Sequence, residues 1–282
     1  MEISAKLVMQ LRQKTNVGMM ECKKALTEAK GDIELATELL LKSGAAKAGK
    51  KSDRVANEGL LFVANAADGL SASIVEVNCE TDFVAKADAF LEFGNNLANL
   101  VLERGVTAVA DINALTTDSG KTVADMCNIL VGQHGENIQI RRATCLKADG
   151  GKVVSYSHAG KIAALVQIEG DNAEVAKDIA MHIAALKPLA LRPEGVNADI
   201  AAKEQEIFKA QMAESGKSAD IMDKIIDGKM KKFLADNSLY GQVFVKDSKK
   251  KVSEYLAESK VVVTSFVFYE VGMPGSDTAI SA

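Results

Sequence analysis

One pattern limits the fold of this chain more than any other: the order strand, turn, strand, helix occurs twice. Gly59 to Asn65 and Ser71 to Asn78 flank Ala66-Ala67-Asp68-Gly69, whose Asp-Gly step predicts a β-hairpin turn. A segment follows with Phe83, Phe90, Leu91, Phe93, Leu97 and Leu100 at helical spacing. Val153 to Ser157 and Ile162 to Glu169 flank His158-Ala159-Gly160-Lys161 and predict a second hairpin. Gly170-Asp171-Asn172 then caps a helix carrying Val175, Ile179, His182, Ile183 and Leu186. Two similar α+β subdomains are therefore expected. Ile138 to Lys147 and Val261 to Glu270 are rich in β-branched residues and read as further strands. The last is long and alternating, and is expected beside the second hairpin.

The segments around this repeat are helical. Ser4 can cap a helix with Leu7, Val8 and Leu11 on one face, which breaks at Thr15-Asn16-Val17-Gly18. A second helix has Met19, Met20, Cys22, Ala25 and Leu26 on or near one side. Gly31-Asp32 stops it and caps a third, with Ile33, Ala36, Leu39 and Leu40, expected to end at Gly44. Three helices make a small bundle with little area for an active site, better suited to presenting a surface. Met19 and Met20 cannot both face its core: one is exposed by chance, or the two form an adaptable apolar contact. Ala45 to Ser52 reads as a basic linker, either extended or partly helical. After Lys187-Pro188 and Arg192-Pro193, two polar helices over Asp199 to Glu214 and Ser218 to Asp236 are joined by Ser215-Gly216-Lys217. A short loop between helices predicts an antiparallel hairpin, lying along the core or projecting from it.

The expected fold class is thus α+β. It comprises a three-helix bundle with its linker over residues 1–52, core subdomains over 53–147 and 148–272, a helical hairpin inserted at 190–236, and a flexible tail at 273–282.

Composition removes whole classes of function. A net charge of −4 over 282 residues gives no general nucleic-acid footprint. The basic clusters at Lys42 to Lys51 and Lys246 to Lys251 read as a solvated linker and turn. Cys22, Cys79, Cys127 and Cys145 are scattered, without zinc spacing or a disulfide framework, as small apolar residues of a reducing compartment. Met1-Glu2-Ile3-Ser4 has no basic segment leading into an apolar core, and no apolar run is long enough for a membrane span, so a cytoplasmic location is expected. His134, His158 and His182 form no H-x-x-H or H-E-x-x-H pattern, and no glycine-rich phosphate loop or G-x-S-x-G occurs. No catalytic residue, no metal site and no cofactor is expected. By elimination a binding or regulatory protein remains.

The residues best placed to bind are Cys79-Glu80-Thr81-Asp82-Phe83-Val84-Ala85-Lys86, directly after the alternating strand Ile74-Val75-Glu76-Val77-Asn78. Thr81 and Asp82 can start a helix, which puts Phe83 in its first turn. Local sequence alone favours an inward ring. The second hairpin–helix unit has no matching Thr-Asp-Phe, and no catalytic alternative exists. Both argue for a ring offered to another protein.

Several segments together resemble the bacterial elongation factor Ts family. They are Leu11-Arg12 through Thr15, Gly18-Met19-Met20, Cys22-Lys23-Lys24-Ala25-Leu26, Gly31-Asp32-Ile33 and Glu76 to Ala85. Gly135-Glu136-Asn137-Ile138, Met181 to Ala185 with Pro188, Lys231-Lys232-Phe233, and Gly241-Gln242 with Phe244-Val245 follow in the same order. The resemblance spans residues 4 to 272. It implies a ubiquitin-associated-like N-terminal bundle and guanine-nucleotide exchange on elongation factor Tu. Thr81, Asp82, Phe83 and Val84 would dislocate the partner's magnesium, while Arg12, Met19, Met20, His158 and Val245 would make further partner contacts. Direct nucleic-acid or membrane binding is not implied. A homodimer or a 2:2 complex through the helical hairpin is a further expectation. His134 and Lys246 stand where the family can present apolar neighbours. Two other classes fit parts of the sequence: a ubiquitin-associated-type adaptor using only the bundle, and a thiol hydrolase using Cys79.

Overall fold

A computed structural model describes residues 3–15, 17–213, 218–273 and 279–281. The chain divides into two compact units. One comprises Met1–Ala64, Ser73–Cys145 and Glu270–Pro274; the other comprises Asn65–Ala72, Leu146–Tyr269 and Gly275–Ala282.

The first unit begins with the bundle of α1 (Ala5–Thr15), α2 (Met19–Glu28) and α3 (Ile33–Gly49). Val8, Leu11, Cys22, Ala25, Leu26 and Ala36 form its buried centre. Asp32 caps α3 by accepting from the Glu34 and Leu35 amides. Gly44 does not end α3, contrary to the sequence reading; the helix runs on to Gly49 through half of the expected linker. The reason is packing. A Cβ on Gly44 would lie 2.9 Å from the Asn128 carbonyl oxygen, and one on Gly132 would lie 3.7 Å from the Gly44 Cα. Two glycines thus let α3 and α7 (Val123–His134) approach closely. Gln133 Nε2 also donates to the Thr15 carbonyl at 3.1 Å. The bundle is a docked part of this unit.

Strands β1 (Glu58–Asn65), β2 (Ser71–Cys79) and β3 (Gln139–Lys147) form a sheet in that order. The expected single helix after β2 is two: α4 (Asp82–Ala85) and α5 (Asp88–Arg104). Phe62, Val75, Val77, Phe90, Leu97 and Val101 pack between sheet and helix. The sequence reading omitted the short α6 (Val109–Ala114) and the capping-box helix α7, whose Thr122 and Asp125 exchange hydrogen bonds. Every residue of β2 from Ala72 to Cys79 is buried. Glu76 and Asn78, polar in an alternating pattern, are therefore buried too.

The second unit repeats the hairpin–helix order with β4 (Lys152–His158), β5 (Ile162–Glu169) and α8 (Ala173–Leu186). Its antiparallel register pairs Tyr156 with Ala164 and His158 with Ile162. The two units share a glycine device. A Cβ on Gly59 (φ +139°) would lie 2.1 Å from the Val77 carbonyl oxygen, and one on Gly151 (φ +83°) would lie 2.0 Å from that of Ile168. Only glycine lets either hairpin start so close to the end of its partner strand.

Helices α9 (Ala198–Ala213) and α10 (Ala219–Asp236) form the expected hairpin. The Phe208 and Phe233 rings meet edge to face at 6.5 Å, and Lys229 lies 5.0 Å over the Phe208 ring. Met212 and Ile226 are buried, while Ile200, Ile207 and Ile221 are exposed. The base is pinned where the Leu239 and Tyr240 amides donate to the Ala190 and Leu191 carbonyls. The expected Ser215-Gly216-Lys217 loop lies outside the described residues. Strands β6 (Val243–Phe244) and β7 (Asp247–Lys251) and helix α11 (Val252–Ser259) lead to β8 (Val262–Glu270), which lies beside β5 as expected. Of the expected tail, Pro274 to Thr278 and Ala282 lie outside the described residues. Ile280–Ser281 forms β9 and pairs with Phe266 and Ser265 of β8 instead of hanging free. Among the described residues, no helix is long and apolar enough to cross a membrane.

Candidate functional site: an exposed ring on a braced corner

The corner after β2 starts from a helix cap. Thr81 has extended backbone (φ −127°, ψ 155°), and its Oγ1 accepts from the Val84 amide at 3.4 Å. This orients the single turn of α4 so that Val84 and Ala85 share its inner side and Phe83 its outer side. Val84 and Ala85 are buried in the first unit's core. Phe83 points out and is 82% exposed. The inward ring favoured by local sequence is thus not what forms, because the core side of the turn is already filled by Val84 and Ala85. Val84 itself presents no free surface. Asp82 pairs with Lys86 one turn on, at 2.7 Å. Hydrogen bonding to Asp82, then its charge, pushes the Lys86 ammonium above its usual range. Such an exposed pair contributes little stability, so Asp82 can give up Lys86 for another cation at small cost.

A second carboxylate braces this corner from behind. Glu136 Oε2 accepts from the Glu80 amide at 3.1 Å and the Thr81 amide at 3.0 Å. Its Oε1 accepts from Thr81 Oγ1 at 2.6 Å. In return, the Asn137 amide donates to Glu80 Oε1 at 2.6 Å. Asn137 Nδ2 donates to the Ser52 and Arg54 carbonyls at 3.3 and 2.8 Å, Lys51 Nζ donates to the Gly135 carbonyl, and Arg54 lies 3.5 Å from Glu80. The segment leaving the bundle is therefore tied to the same loop as the corner. The basic stretch expected as solvated linker supplies part of that tie.

The other candidate contacts are all on the surface. Arg12 is exposed on α1. Met19 is 48% and Met20 78% exposed, so neither enters the bundle core; Cys22, Ala25 and Leu26 fill it instead. His158 is exposed at the end of β4. Val245 is exposed beside Val243, a neighbour the sequence reading missed. Both valines face out because Phe244 between them is buried, stacked on Tyr255 at 4.2 Å. Cys79 is fully buried and its thiol donates to the Thr81 carbonyl at 3.1 Å, which removes the thiol-hydrolase alternative. Burial pushes the Cys127 thiol up to about 12. Among the described residues, no group of His, Cys, Asp and Glu could hold a metal ion.

The family model for Elongation factor TS matches residues 80–273. The chain is 47% identical over 272 residues to elongation factor Ts of Methylococcus capsulatus, covering 96% of this chain and 93% of that protein. Against elongation factor Ts of Thioalkalivibrio sulfidiphilus the identity is 48% over 275 residues, with the same two coverages. Against that of a Psychrobacter species it is 45% over 271 residues, covering 96% and 91%.

The chain belongs to the elongation factor Ts family.

As an elongation factor Ts family member, it carries the braced corner at the start of the matched region. The sequence reading quoted Glu136 and Asn137 only as parts of the resemblance. No spacing rule could have paired Glu136 with Glu80, since they are 56 residues apart and meet only because β3 lies beside β2. His182 is fully buried. Its Nδ1 accepts from the Val245 amide at 3.2 Å, so Nε2–H donates to Gln242 Oε1 at 2.9 Å. Gln242 Nε2 in turn donates to the Leu186 and Asp236 carbonyls. His182 thus holds the backbone under one candidate contact.

Burial lowers the His182 pKa below the usual 6.5, with the Gln242 hydrogen bond partly opposing it. The unfolded chain therefore takes up this proton first as pH falls. Stability from neutral His182 is complete above the unfolded value and is lost as pH drops through the folded one. Circular-dichroism melts from about pH 7 to about pH 5 should show a falling midpoint for the second unit. His182→Gln should flatten that slope while lowering the midpoint at neutral pH. An equal slope in the variant would assign the acid sensitivity to other groups.

Proposed function

We propose that this chain is a guanine-nucleotide exchange factor that binds elongation factor Tu carrying GDP and speeds GDP release during translation elongation. The observation that carries this reading is the 82% exposed ring of Phe83 on a braced corner beside Asp82. A large ring left in water is costly unless something covers it, and a rigid corner loses little conformational freedom when it is covered. Phe83 wedges between helices of the partner's GTPase domain. Asp82 exchanges Lys86 for groups near the nucleotide's magnesium and disturbs the shell around the ion. Loss of the metal removes positive charge from the phosphates and weakens GDP. Thr81 caps the turn, and Val84 anchors it from within. The bundle grips the same partner domain through Arg12, Met19 and Met20, and the second unit reaches a further partner domain through His158 and Val245.

Linkage makes the effect reciprocal: a factor that weakens GDP on its partner is weakened by GDP to the same degree. GTP rebinding then releases the factor. This chain makes and breaks no covalent bond in the cycle, takes no cofactor and acts in the cytoplasm. An adaptor that used only the bundle would leave the braced corner without a role. Stopped-flow release of fluorescent GDP from purified elongation factor Tu tests the reading. Release should accelerate in proportion to added protein and then saturate. An unchanged release rate at saturating protein would sink it.

A further inference from the structure

We infer that Glu136 is the positioning residue of the exchange corner: its carboxylate sets the direction of Phe83 without touching it. The inference rests on the exchange-factor reading above and adds the residue that makes the corner rigid. Phe83 is not held by a core of its own. Its direction is set by the backbone of Thr81 to Ala85, which, besides the helical hydrogen bonds of α4 and the Cys79 thiol on the Thr81 carbonyl, has two restraints. One is the burial of Val84 and Ala85. The other is Glu136.

The chemistry of the second restraint is specific. Thr81 Oγ1 has one proton and must both donate and accept. By taking that proton at 2.6 Å, Glu136 Oε1 leaves the oxygen lone pair facing the Val84 amide, which it caps at 3.4 Å. Glu136 Oε2 fixes the preceding two peptide planes through the Glu80 and Thr81 amides at 3.1 and 3.0 Å. Hydrogen bonds to an ionised acceptor are stronger than neutral ones, and three on one carboxylate define a single orientation. Glu136 is itself placed by Gly135, whose positive φ of 74° ends α7, and by the Asn137 amide, which is held on Glu80 Oε1. Brace and corner lock each other from two chain segments. Glu136 accepts from the Glu80 and Thr81 amides and the Thr81 hydroxyl, so its effect passes through the backbone.

A positioning residue is separated from a merely stabilising one by how the rate constants divide. In fluorescent-GDP release from elongation factor Tu, full-length Glu136→Ala should lower the maximal rate by about tenfold. Its half-saturating concentration should stay within about twofold, because the bundle and second-unit contacts are intact. Glu136→Gln retains the length and one acceptor oxygen but turns an amide against backbone donors, so an intermediate rate is expected. It also carries the test if the alanine variant folds poorly. Since Glu136 acts through Phe83, the double variant Glu136→Ala/Phe83→Ala should be no slower than Phe83→Ala alone.

Wild-type maximal rates in both folded Glu136 variants would overturn the inference while leaving the exchange reading intact, provided Phe83→Ala is slow. Losses that multiply in the double variant would also overturn it, since Glu136 would then act on its own. If wild-type protein fails to accelerate release at all, the exchange reading falls and this inference with it.

Discussion

Phe83→Ala should slow GDP release from elongation factor Tu by roughly 10- to 150-fold at saturating protein, with little change in melting temperature. The size follows from the ring's exposure. Burying a phenylalanine side chain contributes about 1.5–3 kcal/mol. If that burial occurs only when the corner enters the partner, its loss raises the barrier by a similar amount, and each ~1.4 kcal/mol is a factor of about ten. The small stability change follows from the same number: a ring 82% exposed in the free chain removes little apolar area from water on folding. Asp82→Ala should slow release as well, also with little effect on stability, because its pair with Lys86 is exposed. Stopped-flow release and thermal melts on the same samples check both halves. A large fall in melting temperature with normal exchange by the folded fraction would make Phe83 a structural residue.

Arg142→Met should destabilise the first unit by about 3–5 kcal/mol, a drop of roughly 10 °C in its melting midpoint. Glu76 is fully buried and its Oε2 accepts from Arg142 Nε at 2.7 Å. Its Oε1 accepts from Asn78 Nδ2 at 3.1 Å and from the Gly272 amide at 2.9 Å. Arg142 Nη2 also donates to the Glu270 carbonyl at 3.1 Å. The pair joins β2, β3 and the returning segment Glu270–Pro274 of the same unit. Removing the guanidinium leaves a carboxylate buried beside a methionine, with no counter-charge as close. Arg141→Met is the control, since Arg141 is more exposed and lies 3.9 Å from Glu76. Adding Glu76→Leu to Arg142→Met should recover only part of the loss, because the Gly272 amide loses its acceptor and Asn78 Nδ2 one of two, keeping the Glu58 carbonyl. Differential scanning calorimetry of the three variants is the measurement. Equal midpoints for Arg142→Met and wild type would show that water or another group satisfies Glu76.

Much of this was legible before any coordinates. Hairpins, their helices and the helical hairpin follow from local spacing, because apolar periodicity and turn chemistry act over a few residues. The short α6, α11 and β6–β7 elements were missed, since each depends on packing against a larger element. Gly44 was misread as a helix stop. A glycine inside a helix carries no local sign that another helix, here α7, needs its missing side chain.

The corner shows the same division. By itself the sequence determined that a strand ends in Thr-Asp-Phe and that a helix starts there. Only the tertiary structure decided that Phe83 faces outward, because Val84 and Ala85 occupy the core side of the turn. It alone brought Glu136 to the corner and Arg142 to Glu76, across 56 and 66 residues of chain. Those pairings depend on β3 lying beside β2, and strand neighbourhood is set by how apolar faces are buried together.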